Sequence, residues 1–166
     1  MKAASPFQYI FNCFLLTLPV MAWDGLFTDK LPSAYQPATF QNNIPVFLTY
    51  AENSSRICVF VLAVCMPLSI QTPLQKKGLV AYITGLLLYF ASWLALMYCP
   101  GSSWSHSAAG FMAPAYTPFV WLMGIAMIGG DSYFNLRFYR LLFIGVSVLF
   151  VAFHNAHTWI VYSRIY

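Results

Sequence analysis

Two pairs of ionisable side chains are spaced so that each pair lies on one face of a helix. Glu52 and Arg56 are four residues apart, and His154 and His157 are three apart with Asn155 between them. Side chains at these spacings are neighbours on a helix surface. A glutamate made basic by burial can activate water, and an imidazole can polarise a carbonyl group. Glu52, His154 and His157 are therefore the candidate catalytic residues.

Further polar residues fall at a similar depth and are expected to contact a ligand at the same site. Arg56 can pair with an anionic head group. Pro114 and Pro118 should kink their helix, and Tyr116 and Thr117 can bond to carbonyls that the kink frees. Broken helices in transporters mark binding sites. The predicted ligand-binding residues are Arg56, Asn155, His106, Asp24, Tyr116 and Thr117.

The same side chains could instead hold a metal ion. His154, His157 and Glu52 offer two nitrogen ligands and a carboxylate oxygen, which suit zinc or another transition metal. Their spacing lacks the intervening glutamate of helical His-Glu-x-x-His sites. The chain has three histidines, of which two could ligate a haem. The expectation is no cofactor, with zinc as the first alternative and haem as the second.

Glu52-x-x-x-Arg56 and Phe150-x-x-x-His154 together resemble two motifs of the CAAX-protease-like membrane family, Glu-Glu-x-x-x-Arg and Phe-x-x-x-His. Ala51 stands where that family has its first glutamate, and a further His-x-x-x-Asn/Asp motif is absent. The resemblance implies a Glu/His-dependent intramembrane hydrolase, which stays open as an alternative. The sequence contains no nucleophile elbow, Walker loop, dinucleotide fingerprint or Cys-x-x-Cys.

The composition defines the elements that must position these residues. Apolar residues make up 60% and charged residues 7% of the 166 residues, against roughly 45–50% and about 25% in soluble domains. At about 20 apolar residues per crossing, the chain supports about five transmembrane helices. Helices satisfy their own backbone in lipid, and the apolar runs lack the alternation of barrel strands. The predicted class is an all-α, polytopic integral membrane protein of one domain.

Five apolar runs are separated by polar or Pro- and Gly-containing connections. The first run also resembles a signal peptide, with Lys2 ahead of it and Val20-Met-Ala22 as its cleavage site. Asn12, Thr17 and Pro19 interrupt this run and favour a retained helix. The predicted spans are about 9–23, 45–70, 79–98, 111–129 and 141–162, with 71–78 as a turn and 24–43 as an outer surface segment.

The distribution of Lys and Arg predicts the orientation. If the N-terminus is cytoplasmic, that side carries Lys2, Lys76, Lys77, Arg137 and Arg140. Cytoplasmic loops are enriched in these residues. The N-terminus is therefore predicted in the cytoplasm and the C-terminus outside, in the plasma membrane or, in a bacterium, the inner membrane. The candidate site then faces the outer leaflet, roofed by segments 24–43 and 99–110.

These observations favour one function and keep two alternatives. The net charge of +4 comes from dispersed residues that form no stripe for nucleic acid. The predicted function is to bind, carry or modify a lipid-like or amphipathic small molecule, with membrane lipids as partners. The first alternative is a non-catalytic subunit or assembly scaffold with a protein partner in the membrane, and the second is a metal- or Glu/His-dependent intramembrane hydrolase. Whether the protein is an enzyme stays open. The first of these functions requires that the second and fifth helices meet at their outer ends, with Glu52 and His154 or His157 lining one cavity.

Overall fold

The computed structural model describes residues 10–130, 132–134 and 136–166. This part of the chain is all-helical, with 79% helix and no strand, which confirms the all-α class. Lys2 is one of the five residues that predict the orientation, and Tyr9 begins the first predicted span. Both lie outside the described residues. The α-helices are α1 Leu18–Phe27, α2 Pro37–Phe40, α3 Val46–Val64, α4 Pro73–Tyr98, α5 Ser103–His106, α6 Ala108–Phe111, α7 Ala113–Tyr116, α8 Pro118–Gly129 and α9 Tyr139–Ile165, and short 3-10 helices cover Cys13–Thr17, Thr28–Lys30 and Ser33–Tyr35.

Two of the described helices, α4 and α9, are long and apolar enough to cross a membrane. Ala113–Gly129, which comprises α7 and α8, is a shorter apolar stretch. Among the described helices, these two therefore have the length that a bilayer crossing requires.

The second apolar run does not stay helical to residue 70, because α3 ends at Val64. Pro67 has no backbone N–H, and it disfavours the helical conformation of the residue before it, Met66. The Met66 carbonyl accepts a hydrogen bond from the Cys13 N–H at 2.9 Å. The prediction of a helix over 45–70 was therefore wrong at its C-terminal end.

Helix α4, which corresponds to the third predicted span, begins earlier than predicted, at Pro73. The Thr72 hydroxyl accepts a hydrogen bond from the Gln75 N–H, and the Gln75 side chain accepts one from the Thr72 N–H. This reciprocal capping box, with proline in the first turn, starts a helix where a turn over 71–78 was predicted. That prediction was wrong, although the Thr-x-x-Gln spacing was readable from the sequence.

The fourth apolar run is broken at both of its prolines, as the predicted kink requires. Helix α6 ends at Phe111, α7 carries Pro114 in its first turn, and α8 begins at Pro118. Each proline removes one backbone donor, so a single regular helix cannot continue through both positions.

Helices α4 and α8 pack with their backbones in close approach at two glycines. A Cβ added to Gly85 would lie 2.8 Å from the Cα of Trp121, and one added to Gly124 would lie 2.6 Å from the Cα of Tyr82. Small residues at such crossings are typical of helix packing in membranes. Helices α3 and α9 form the other large helix pair and carry the candidate catalytic residues.

Residues 28–43, here named the cap segment, are anchored at one end of the helices. The Arg164 guanidinium, near the end of α9, donates to the carbonyls of Asn42 and Asn43. The Tyr35 hydroxyl donates to the carbonyl of Phe111. Burial raises the pKa of Tyr35 well above its usual range, so this hydroxyl stays protonated. The cap segment thus closes the end at which α3 begins and α9 ends.

Candidate functional site

Glu52 is the centre of a buried cluster that joins α3 to α9. Its side chain is 4% exposed. Its Oε1 atom accepts hydrogen bonds from the Arg56 guanidinium and from His154 Nδ1 at 3.0 Å, and its Oε2 atom lies 2.6 Å from His157 Nδ1. The helical spacing within each pair directs both of its members to one face, and the packing of α3 on α9 brings the two faces together. The predicted contact between these two helices is present, whereas its place at their outer ends stays a prediction.

His157 is hydrogen bonded at both ring nitrogens. Its Nε2 atom lies 2.9 Å from the carbonyl oxygen of Phe40, which only accepts, so Nε2 carries a hydrogen. A second proton must lie in the 2.6 Å contact between Nδ1 and the Glu52 carboxylate oxygen. The imidazole also stacks on the Phe40 ring, with centroids 4.2 Å apart. His157 is 1% exposed and links the carboxylate to the cap segment.

His154 uses one nitrogen for the cluster and faces a cavity with the rest of its ring. Its Nδ1–H donates to Glu52, which leaves Nε2 as an acceptor in the neutral imidazole. In the described part of the chain no group is hydrogen bonded to Nε2. The ring stacks on Phe150, with centroids 5.7 Å apart. His154 is therefore the histidine of this pair that is able to contact a ligand.

The cavity has a volume of about 350 Å³ and lies among α1, α3, α4, α8 and α9. Glu52 and His157 do not line it, so the prediction that Glu52 shares one cavity with a histidine was wrong. Its wall mixes polar side chains with aliphatic and aromatic ones. The polar or N–H-bearing residues of the wall are Thr17, Asp24, Arg56, Tyr89, Trp121 and His154, and the apolar residues include Val20, Met21, Val59, Phe60, Leu122 and Phe150.

Three groups in this wall bear on what the cavity could bind. Asp24 accepts a hydrogen bond from the Tyr89 hydroxyl at 2.7 Å through one carboxylate oxygen. The Arg56 side chain is 39% exposed, so its guanidinium is only partly covered by the contact with Glu52. The indole N–H of Trp121 is buried and has no hydrogen-bond partner among the described residues.

Two predicted ligand-binding residues form hydrogen bonds within the helices instead. The Asn155 amide donates to the carbonyls of Ala115, at 3.1 Å, and Val151, at 2.7 Å, and so ties α9 to α7. The Thr117 hydroxyl donates to the Ala113 carbonyl at 2.8 Å. Neither residue lines the cavity.

Tyr116 and His106, which were also predicted to bind a ligand, lie outside the Glu52 cluster as well. Tyr116 is exposed, and its hydroxyl donates to the Ala109 carbonyl at 3.0 Å. Pro114 and Pro118 lack the N–H groups that would bond to the carbonyls of Gly110 and Pro114 in a continuous helix. Tyr116 and Thr117 bond to other carbonyls, those of Ala109 and Ala113. His106 lines a second cavity of about 480 Å³ between the cap segment and the segment 99–111.

The described residues contain no group of three or more His, Cys, Asp or Glu side chains that could hold a metal ion. His154 and His157 each point Nδ1 at an oxygen of Glu52 instead of at a shared central position. The remaining nitrogen of His157 is bonded to a carbonyl and is not free for zinc or for a haem iron. The metal hypothesis for these residues is not supported by this geometry.

Three residues of the site carried little or no signal in the sequence. Tyr89 lies within the apolar helix α4, where only the need of a buried hydroxyl for a partner points to it. Trp121 looked like one of several interfacial tryptophans. Phe40 contributes a backbone carbonyl and an apolar ring, neither of which a residue type reveals.

No protein-family model matches the chain, and no curated protein or solved structure matches it either.

Proposed function

We propose that this chain is a multi-pass membrane protein of the plasma membrane, or of a bacterial inner membrane, that binds a small amphipathic molecule in the cavity beside His154. The membrane location is supported by the surface of the helices. In the most apolar windows of α4 and α9, only 33% and 22% of the residues are buried. A core helix of a soluble protein would be mostly buried, so these helices present apolar side chains to their surroundings.

Five crossings are proposed, with the N-terminus in the cytoplasm. Helix α3 has 19 residues, about 28 Å, close to the hydrocarbon thickness of about 30 Å. It exposes Phe47, Ile57 and Val61. The first segment is tied to α4 by the bond from the Tyr82 hydroxyl to the Leu16 carbonyl, which supports a retained helix. The distribution of Lys and Arg then favours the outer side for the cap segment.

The observation that carries the binding proposal is the mixed wall of the cavity. Arg56, Asp24 and His154 provide charged and hydrogen-bonding groups, and the remaining wall is largely aliphatic and aromatic. A cavity of about 350 Å³ falls within the range of small-molecule sites, roughly 300–1,000 Å³. A molecule with a polar head and an apolar body satisfies both parts of such a wall.

Within this proposal Glu52 is a positioning residue. It is buried, lies outside the lining and accepts bonds from both His154 and Arg56, which do line the cavity. The carboxylate therefore fixes the orientation of the two groups that contact the bound molecule.

The test is the amphipath content of the purified protein, extracted with organic solvent and quantified by mass spectrometry. Met21→Trp, which places a larger side chain in the cavity wall, should reduce the content several-fold. Leu26→Trp is the matched control, because Leu26 is on the same helix, is 78% exposed and does not line the cavity. Equal content in the wild type and both variants would contradict the proposal. If the protein then co-purified with another membrane polypeptide, the non-catalytic subunit would become the better interpretation.

A further inference from the structure

We propose that the head group bound in this cavity is an uncharged hydroxyl, as in a fatty alcohol or a glycerol monoester. The hydroxyl donates to His154 Nε2 and accepts from the Arg56 guanidinium. This inference rests on the proposed binding function and names the chemistry of its ligand.

The first argument is the charge of the surrounding groups. Arg56 carries a positive charge and Glu52 a negative one, and the proton shared by Glu52 and His157 balances the charge of Asp24. The formal charges cancel when His154 is neutral. An ammonium or carboxylate head group would therefore bring an uncompensated charge to a largely apolar cavity, which is costly.

The second argument is the pattern of unused donors and acceptors. His154 Nε2 is an acceptor with no partner among the described residues, whereas the Arg56 guanidinium lines the cavity and is a donor only partly covered by its contact with Glu52. A carboxylate only accepts, so it would leave Nε2 facing another lone pair, and an ammonium only donates, so it would place a second donor against the guanidinium. A hydroxyl donates and accepts, and satisfies both.

The experiment compares decanol, decanoate and decylammonium, which share one alkyl chain, on the protein in lipid nanodiscs with ¹⁵N-labelled histidine. The three histidines give few ring signals, and His106→Gln identifies one of them. The free protein should show His154 protonated at Nδ1 and unprotonated at Nε2. Decanol should shift the Nε2 signal of His154 and bind about tenfold more tightly than either ion, the factor expected from one hydrogen bond.

Two variants and two outcomes make the result decisive. Arg56→Met should weaken decanol binding about tenfold, whereas His106→Gln, in the other cavity, should leave it unchanged. If decanoate or decylammonium binds more tightly, or if binding leaves His154 Nε2 unaffected, the hydroxyl inference is overturned while the binding function stands. If none of the three binds and Met21→Trp changes nothing, the binding function fails together with the inference.

Discussion

Replacing Glu52 should destabilise the protein more than replacing any one of its partners, because it removes the acceptor of three side chains. Glu52→Leu leaves His157 Nδ1 without a partner at a position that is 1% exposed. Breaking a buried charged pair by removing one member costs about 3–5 kcal/mol. We therefore expect Glu52→Leu to lower the free energy of unfolding by that amount.

Arg56→Met should have a much smaller effect. The Arg56 side chain is 39% exposed, and ion pairs with such partners contribute about 0–1 kcal/mol. Glu52 also keeps His154 and His157 as donors when Arg56 is removed. An isolated Glu52–Arg56 pair would instead lose similar stability whichever member was replaced.

The assay is a double-mutant cycle on the free energy of unfolding in a mild detergent. Glu52→Leu combined with His157→Phe should be less destabilised than Glu52→Leu alone, since apolar side chains then replace both members of the buried pair. Adding Arg56→Met to Glu52→Leu should recover little. Additive losses for Glu52 and His157, or equal losses for Glu52 and Arg56, would refute the three-donor cluster.

Three other measurements test the packing, the cap segment and the topology. Gly85→Ala should destabilise the protein by about 1–3 kcal/mol through overpacking. Gly145→Ala is the control: nothing lies within 4 Å of an added Cβ, so it should be neutral or stabilise by up to about 1 kcal/mol. Equal thermal shifts of the two variants would contradict the close helix approach. Arg164→Gln should speed hydrogen exchange in the cap segment and leave α4 unchanged, and uniform exchange would show that this anchor is not specific. In a cysteine-free background, an impermeant maleimide should label Ser103→Cys from outside and spare Lys77→Cys, and the opposite result would reverse the orientation.

The meeting of Glu52 with the two histidines follows from the sequence by a physical argument. Polar groups inside apolar helices are too costly to face hydrocarbon, so they must face one another, water or a ligand. Their spacing directs each pair to one helix face, and the chain has few other ionisable groups at that depth. The hydrogen bonds between Glu52, His154 and His157 are the result.

Other features could not be predicted in this way, because they depend on backbone groups or on a local conformational preference that outweighs the hydrophobic pattern. The partner of His157 Nε2 is the carbonyl of Phe40, and every residue has a carbonyl. Asn155, at the same depth, bonds to the carbonyl of Ala115 beside the proline break and to that of Val151 in its own helix. The early end of α3 depends on Pro67, which outweighs the apolar run around it.

The contrast between the two histidines decides which chemistry the site can perform. Both contact Glu52, yet the cap segment covers His157 and leaves the Nε2 atom of His154 without a partner among the described residues. A mechanism in which Glu52 itself activates water would need the carboxylate to reach a substrate, but it is buried and already accepts three hydrogen bonds. Of the three candidate catalytic residues, His154 is therefore the one that is able to exchange a proton with a bound molecule. It follows that Glu52→Gln and His154→Ala should both weaken decanol binding, the first by misorienting His154 and Arg56 and the second by removing the imidazole itself.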